Sequence, residues 1–237
     1  MNPLCACSRV STSGIMSRTR LENNRKYMMQ KLVVTAMAVV LLFVASATQA
    51  SSERFQEGVH YNVISDQKSR NPEIIDFFSL YCNACYQFAS FSDSLKDEFG
   101  DAFRKYHVNI VVPNNAMREN IMQIWATAMV LGVNEEFAER VFQRHFVRNS
   151  WVNSVSDAKG VFAELGVDEE RFDRAWNSMQ VRSLTNRMRT AQDNFNVRAT
   201  PTYIVNRKYQ MNPQGFQNSA NFFNDYMDLA RYLMSKD

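Results

Sequence analysis

In Ile74-Ile75-Asp76-Phe77-Phe78-Ser79-Leu80-Tyr81-Cys82-Asn83-Ala84-Cys85 an apolar run leads directly into two cysteines separated by two residues. A run this rich in aromatic and β-branched side chains predicts a buried strand. After the first cysteine, Ala84, Phe88, Phe91 and Leu95 follow at spacings of 4, 3 and 4 and predict one helix with an apolar face. Cys82 therefore stands where a strand ends and a helix begins. Unpaired backbone N–H groups and the positive end of the helix dipole favour an anion there, and the reactive form of cysteine is the thiolate. Cys85, one turn on, is placed to close a disulfide. The pair predicts thiol–disulfide chemistry with Cys82 as the low-pKa nucleophile. A zinc site needs about four ligands, whereas Cys5 and Cys7 lie in a leader expected to be lost and His60, His107 and His145 show no ligand spacing. A purely structural disulfide would close too small a loop to remove much chain entropy. No metal is expected.

The leader gives the compartment. Lys31 precedes 13 uncharged, largely apolar residues, Leu32 to Val44, and small residues follow through Ala50. A basic end, a short apolar stretch and a small-residue cleavage site predict a secretory signal peptide; the stretch is shorter than the ~20 residues of a spanning helix. Cleavage is expected after Ala50, with Ala47 second, and Met28 or Met29 makes a more natural start than Met1. The whole chain has net charge +3, but residues 51–237 carry 21 basic and 23 acidic residues. The basic balance belongs to the leader, so nothing points to nucleic acid as a partner. The remaining length suits one compact domain.

Along the rest of the chain, Tyr106 to Val112 predicts a strand ending before Pro113. The next 75 or so residues predict helices: Ile121, Ile124, Trp125 and Ala128 form one stripe, Phe137, Val141 and Phe142 another. Gly132 and Gly166 are helix stops, and Asp168 caps the helix of Phe172 and Trp176. Strands return at Thr202–Asn206 and Tyr209–Asn212, before a closing helix with Phe222, Tyr226, Leu229 and Leu233. Pro201, entering a strand, is an edge residue or a bend; a cis Thr200–Pro201 bond would expose backbone groups to an extended peptide. The order predicts an α/β fold, a thioredoxin-like core with an inserted helical domain. The expected divisions are a leader (1–50), the first part of the core (51–115), the helical insertion (116–190) and the second part (191–237).

The chain resembles the DsbA family of thiol:disulfide oxidoreductases over residues 54–236. The similar stretches are Asp76-Phe77-Phe78-Ser79, Cys85-Tyr86-Gln87-Phe88, Tyr106-His107-Val108-Asn109, Ala126 to Val133, Ala175-Trp176-Asn177-Ser178 and Lys208 to Gly215. The resemblance implies a redox-active disulfide Cys82–Cys85 with no other cofactor, and a cis Pro201 facing it. It implies a periplasmic enzyme, read as a monomer, that oxidises exported proteins with free cysteines and is reoxidised by a DsbB-type quinone-linked membrane protein. Thr200 and Pro201 are then the substrate-binding pair. Asp76 matches a buried acid of the family that tunes the cysteines, against a second reading as a solvated residue at a strand start. Phe78 and Tyr81 are expected in the core, and His107 as a satisfied structural histidine. Two residues depart from the family: Asn83-Ala84 replaces its usual Pro-His, and Thr200 its usual valine. Both favour, as the alternative, an isomerase or reductase serving a dedicated pathway such as cytochrome c maturation. A peptide-holding, chaperone-like module is the third reading.

Overall fold

The computed structural model describes residues 54–236; the leader, its cleavage sites and the alternative starts lie outside them. Five strands, β1 (Tyr61–Val63), β2 (Ile74–Phe78), β3 (Phe103–His107), β4 (Thr202–Val205) and β5 (Tyr209–Met211), form one sheet in the order β1-β5-β4-β2-β3. Only β2 and β3 run parallel. Between them lie α1 (Asn83–Gln87) and α2 (Ala89–Phe99). Five helices separate β3 from β4: α3 (Asn115–Leu131), α4 (Asn134–Phe142), α5 (Val155–Glu164), α6 (Glu169–Trp176) and α7 (Met179–Asn194); α8 (Phe222–Ser235) closes the chain. The fold is thus the expected α/β core with helices inserted between its halves.

Strand β2 is paired on both edges and buried at all five positions, which is why four of its five residues are apolar rather than alternating with polar ones, with Asp76 the exception. Ile74 packs into a cluster with Phe91 and Leu95 of α2, Tyr203 and Val205 of β4, and Tyr226, Leu229 and Leu233 of α8. Ile75, Phe77 and Ile204 pack instead with Ile121, Ile124 and Trp125 of α3, Phe162 of α5, and Val181 and Met188 of α7. Side-chain caps start four of the five inserted helices: Asn114 accepts from Met117 N at 2.9 Å, Ser154 from Asp157 N at 3.0 Å, Asp168 from Arg171 N at 2.7 Å, and Ser178 from Val181 N at 3.2 Å. Gly132 ends α3 in the left-handed region, φ 71°, where a side chain would be strained.

Two expectations need correction. The strand expected over Tyr106–Val112 lies earlier, at Phe103–His107, because its register is set by β2, with Ile74 opposite Phe103 and Phe78 opposite His107. Val108 N adds one more bond, to Phe78 O, and β2 then turns away at Ser79. Asn109 N pairs instead with the Gln192 side chain of α7. The helix expected from Ala84 through Leu95 is interrupted at Phe88 (φ −91°, ψ 2°). Phe88 fits its ring among Phe91, Phe222, Phe223 and Tyr226. Ala84 is consequently exposed, and Cys85 is the buried residue of α1.

Asn206, with no exposed surface, ties three elements together. Asn206 and Arg207 take φ of 52° and 59° in the tight turn between β4 and β5. The Asn206 carbonyl amide oxygen accepts from Glu73 N at 3.1 Å, and Nδ2 donates to the carbonyls of Leu233 and Met234 at 3.1 and 3.3 Å. Asn206→Ala would strand buried polar groups at the entry to β2 and the end of α8. The expected loss is about 2–4 kcal/mol, read as a lower urea midpoint at unchanged slope; a loss under about 0.5 kcal/mol would show the tie to be dispensable.

Candidate active site: a dithiol held between strand β2 and the Thr200–Pro201 turn

The turn that delivers Cys82 has almost every backbone group held. Ser79 O accepts from Cys82 N at 3.1 Å, while Ser79 Oγ accepts from Tyr81 N at 3.1 Å and donates to Val111 O at 2.7 Å. Leu80 is gripped on both sides by buried histidines. Its N–H donates to His107 Nε2 at 3.0 Å, so the ring hydrogen sits on Nδ1 and is donated to Val108 O at 2.6 Å. Its carbonyl faces His145 Nδ1 at 2.9 Å; His145 Nε2 takes the Val152 N–H at 3.1 Å, so Nδ1 is again the donor. Burial pushes His107 down to about 3, against the pull of its bond to Val108, and lowers His145 as well. Both rings are therefore neutral at physiological pH, and His107 is the satisfied histidine the sequence predicts. Tyr81 stacks on His145 (4.8 Å between centroids) and donates its hydroxyl to Val152 O at 2.6 Å.

The two cysteines are free thiols in unequal surroundings. Cys82 is the N-cap of α1 and half-buried; its Sγ accepts from Cys85 N at 3.4 Å. Its pKa falls to about 5 because the Cys85 thiol donates to it. Burial opposes this, and the Thr200 side chain and the N–H groups of Cys85 and Ala84 reinforce it. Cys85 is buried, its Sγ accepting from Ser79 N at 3.5 Å, and burial foremost, with the Cys82 charge next to it, pushes its thiol far up. One thiolate and one thiol result.

Thr200 and Pro201 arrive from 118 residues away. Their peptide bond is cis, and Cys82 Sγ lies 3.3 Å from Thr200 O, to which it donates only while protonated. Thr202 Oγ1 donates back to Ala199 O at 2.9 Å, bracing the turn. Asp76, 1% exposed in the middle of β2, is the buried acid rather than a solvated strand start. Ser92 donates to its Oδ2 at 2.6 Å and meets the Tyr203 hydroxyl at 3.0 Å. Burial raises Asp76 to about 6, with Lys105 and Ser92 pulling against it. The structure thus brings Cys82, Cys85, Thr200 and Pro201 to one place, with Asp76 behind them in the core. Among the described residues no three His, Cys, Asp or Glu side chains converge as a metal site would require.

Sequence reasoning missed Ser92, Tyr203 and His145. Ser92 does carry a signal: it shares the core-facing stripe with Phe88 and Leu95, at spacings of 4 and 3, where a hydroxyl is unusual. His145 and Tyr203 carry none, because their partners are distant in sequence. The inequality of the thiols sets an expectation. Alkylation of the reduced protein should modify Cys82 alone, at a rate that rises with pH through about 5 and then levels as the thiolate fraction saturates. A midpoint near the free-thiol value of ~8.5, or faster labelling of Cys85, would contradict this geometry.

A family model described as a DSBA-like thioredoxin domain matches residues 73–226. The thiol:disulfide interchange protein DsbA of Salmonella typhimurium is 34% identical over 215 residues, 88% of this chain and all of the relative. Its Escherichia coli counterpart is 33% identical over the same coverage. Among solved structures, Proteus mirabilis DsbA aligns with a TM-score of 0.69 at 26% identity, over 77% of this chain and 98% of that one. A cysteine-to-serine variant of it holds a non-covalently bound peptide, PWATCDS, and aligns with a TM-score of 0.68 at 26% identity over 77% and 99% of the two chains. Matching in sequence over nearly its full folded length and in fold around a Cys-x-x-Cys pair, the chain belongs to the DSBA-like thioredoxin-domain family and is a thiol:disulfide oxidoreductase.

Proposed function

We propose that the protein acts in the periplasm as an oxidant of exported polypeptides, with the Cys82–Cys85 disulfide as its only redox group. A substrate thiolate attacks Cys82 Sγ and forms a mixed disulfide, and Cys85 leaves; a second substrate thiol releases the oxidised substrate and the Cys82 thiolate. The observation that carries this reading is the inequality of the two sulfurs. A leaving group is best when its pKa is low, and Cys82, at about 5 and half-exposed, is the sulfur that leaves when the substrate departs. Cys85 is buried and basic, so it is the resolving thiol. Stabilising the Cys82 thiolate stabilises the reduced enzyme and makes the disulfide oxidising, a relation for which DsbA is itself the reference example.

Thr200 and Pro201 dock the substrate backbone beside Cys82, and Asp76 tunes the pair from beneath. The bound peptide of the Proteus mirabilis relative supports an extended polypeptide as the ligand class. Reoxidation falls to a DsbB-type quinone-linked membrane protein, and the apolar leader of residues 32–44 supports export. In Cys85→Ala the mixed disulfide has no resolving thiol, so exported proteins should accumulate as adducts that dissolve in reductant. Cys82→Ala should accumulate few; equal trapping by both variants would reverse the roles.

The exposed Ala84 bears on strength as an oxidant. It offers the thiolate neither charge nor a side-chain hydrogen bond, whereas the family's histidine at that position offers both. Replacing Asn83-Ala84 by Pro-His should lower the Cys82 pKa below about 5 and raise the reduction potential with it. Thiolate absorbance against pH and equilibration with glutathione report the two quantities separately. A potential that rises while the thiolate midpoint stays fixed would remove thiolate stability as the control.

A further inference from the structure

Below the dithiol, side chains from three elements make a chain of hydroxyls that ends on one carboxylate oxygen. Ser92 of α2 donates its only hydrogen to Asp76 Oδ2 at 2.6 Å. The 3.0 Å contact between Ser92 Oγ and the Tyr203 hydroxyl must therefore run from Tyr203 of β4 to Ser92. All three are buried, at 1% exposure for Asp76, 3% for Ser92 and 1% for Tyr203. In such surroundings each donor polarises the next. The carboxyl group is consequently two-sided: Oδ2 is held, while Oδ1 is equally buried and has no hydrogen-bond partner. The Asp76 charge acts on the Cys85 thiol.

We propose that Ser92 and Tyr203 are positioning residues for proton transfer at the buried thiol: their hydroxyls anchor Asp76 through Oδ2 and reserve Oδ1 as the atom that gives a proton to Cys85 and takes it back. The proposal rests on the reading of Asp76 as the acid that serves the pair. When the substrate thiolate attacks Cys82 Sγ, the Cys82–Cys85 bond breaks and its electron pair goes to Cys85 Sγ. The carboxylic acid of Asp76 supplies the proton, leaving Cys85 as a thiol and Asp76 as a carboxylate. In reoxidation Cys85 becomes the nucleophile and returns that proton to Asp76. Without the transfer, an isolated thiolate would be left in the core, which is costly.

The hydroxyl chain sets the pH at which this acid works. Burial holds Asp76 at about 6 while the Ser92 bond favours its charged form. The other groups bearing on it are Lys105 of β3, which stabilises the carboxylate, and Asp93 of α2 and Cys82, which oppose it; Tyr203 of β4 and Tyr226 of α8 feel its charge in turn. Tyr203 also stands two residues after Pro201, so the chain links the substrate-docking turn to the buried acid.

The test is a titration of the Asp76 carboxyl carbon by NMR, assigned with Asp76→Asn, beside the pH profile of disulfide reduction by a cysteine-containing peptide. Corrected for ionisation of the peptide thiol, the wild-type rate should fall as pH rises through about 6, where the acid form is lost. In Ser92→Ala the carboxylate loses its donor, and both the titration and the break in the profile should move up by about one unit. Tyr203→Phe, which removes one oxygen, should move both in the same direction by less, and it carries the test if Ser92→Ala fails to fold. Asp76→Asn should abolish the break. Titrations unmoved in both hydroxyl variants would overturn the proposal and leave the role of Asp76 intact. A break that survives in Asp76→Asn would instead overturn the reading of Asp76 itself.

Discussion

Cys82 Sγ sits where two chain segments 118 residues apart must meet, capping α1 through the Cys85 N–H and facing the Thr200 carbonyl at 3.3 Å. That meeting is possible because β2 and β4 are antiparallel neighbours, with Phe77 opposite Thr202. The residue after β2 and the residue before β4 consequently lie at the same end of the sheet. Losing the β2–β4 pairing would separate Cys82 from the Thr200–Pro201 turn while leaving every local motif in place. The Asp76–Ser92–Tyr203 contacts depend on the same register, since Asp76 lies opposite Tyr203.

Rigidity around the pair comes from an unusual use of histidine. His107 and His145 hold the N–H and C=O of one residue, Leu80, from β3 and from the helical insertion. Burial keeps both rings neutral, so each provides one donor and one acceptor and leaves no buried backbone group of Leu80 unpaired. The insertion therefore does more than cover one face of the sheet. Through His145, and through the stacking of Tyr86 on Phe146 at 5.5 Å, it also grips the chain on both sides of the cysteines.

The electrostatics follow from depth. Cys82 is half-exposed and surrounded by donors, so its charge is stabilised; Cys85 is buried beneath it and resists ionising. Asp76 lies deeper still, with one oxygen bonded and one free. Three ionisable groups at different depths thus have environments that separate their pKa values, which is what the proposed division into nucleophile, resolving thiol and acid requires.

By itself the sequence determined the elements and the chemistry. The apolar run of β2, the Cys-x-x-Cys pair at its end, the helical stripes of Ile121, Ile124, Trp125 and Ala128, and the caps at Asp168 and Gly132 are all local patterns, written in side-chain periodicity and turn chemistry. Where β3 begins was not local, because strand ends are set by the partner's register, and β3 stops where β2 turns away at Ser79. Nor was the break at Phe88, which is fixed by rings from α8. That Asp76 is buried, that Ser92 and Tyr203 bond in line with it, and that two histidines share Leu80 were decided by tertiary structure alone. Each is a contact across 16 residues or more of sequence, and a polar side chain's partner is chosen by the packing of elements, not by its neighbours in the chain.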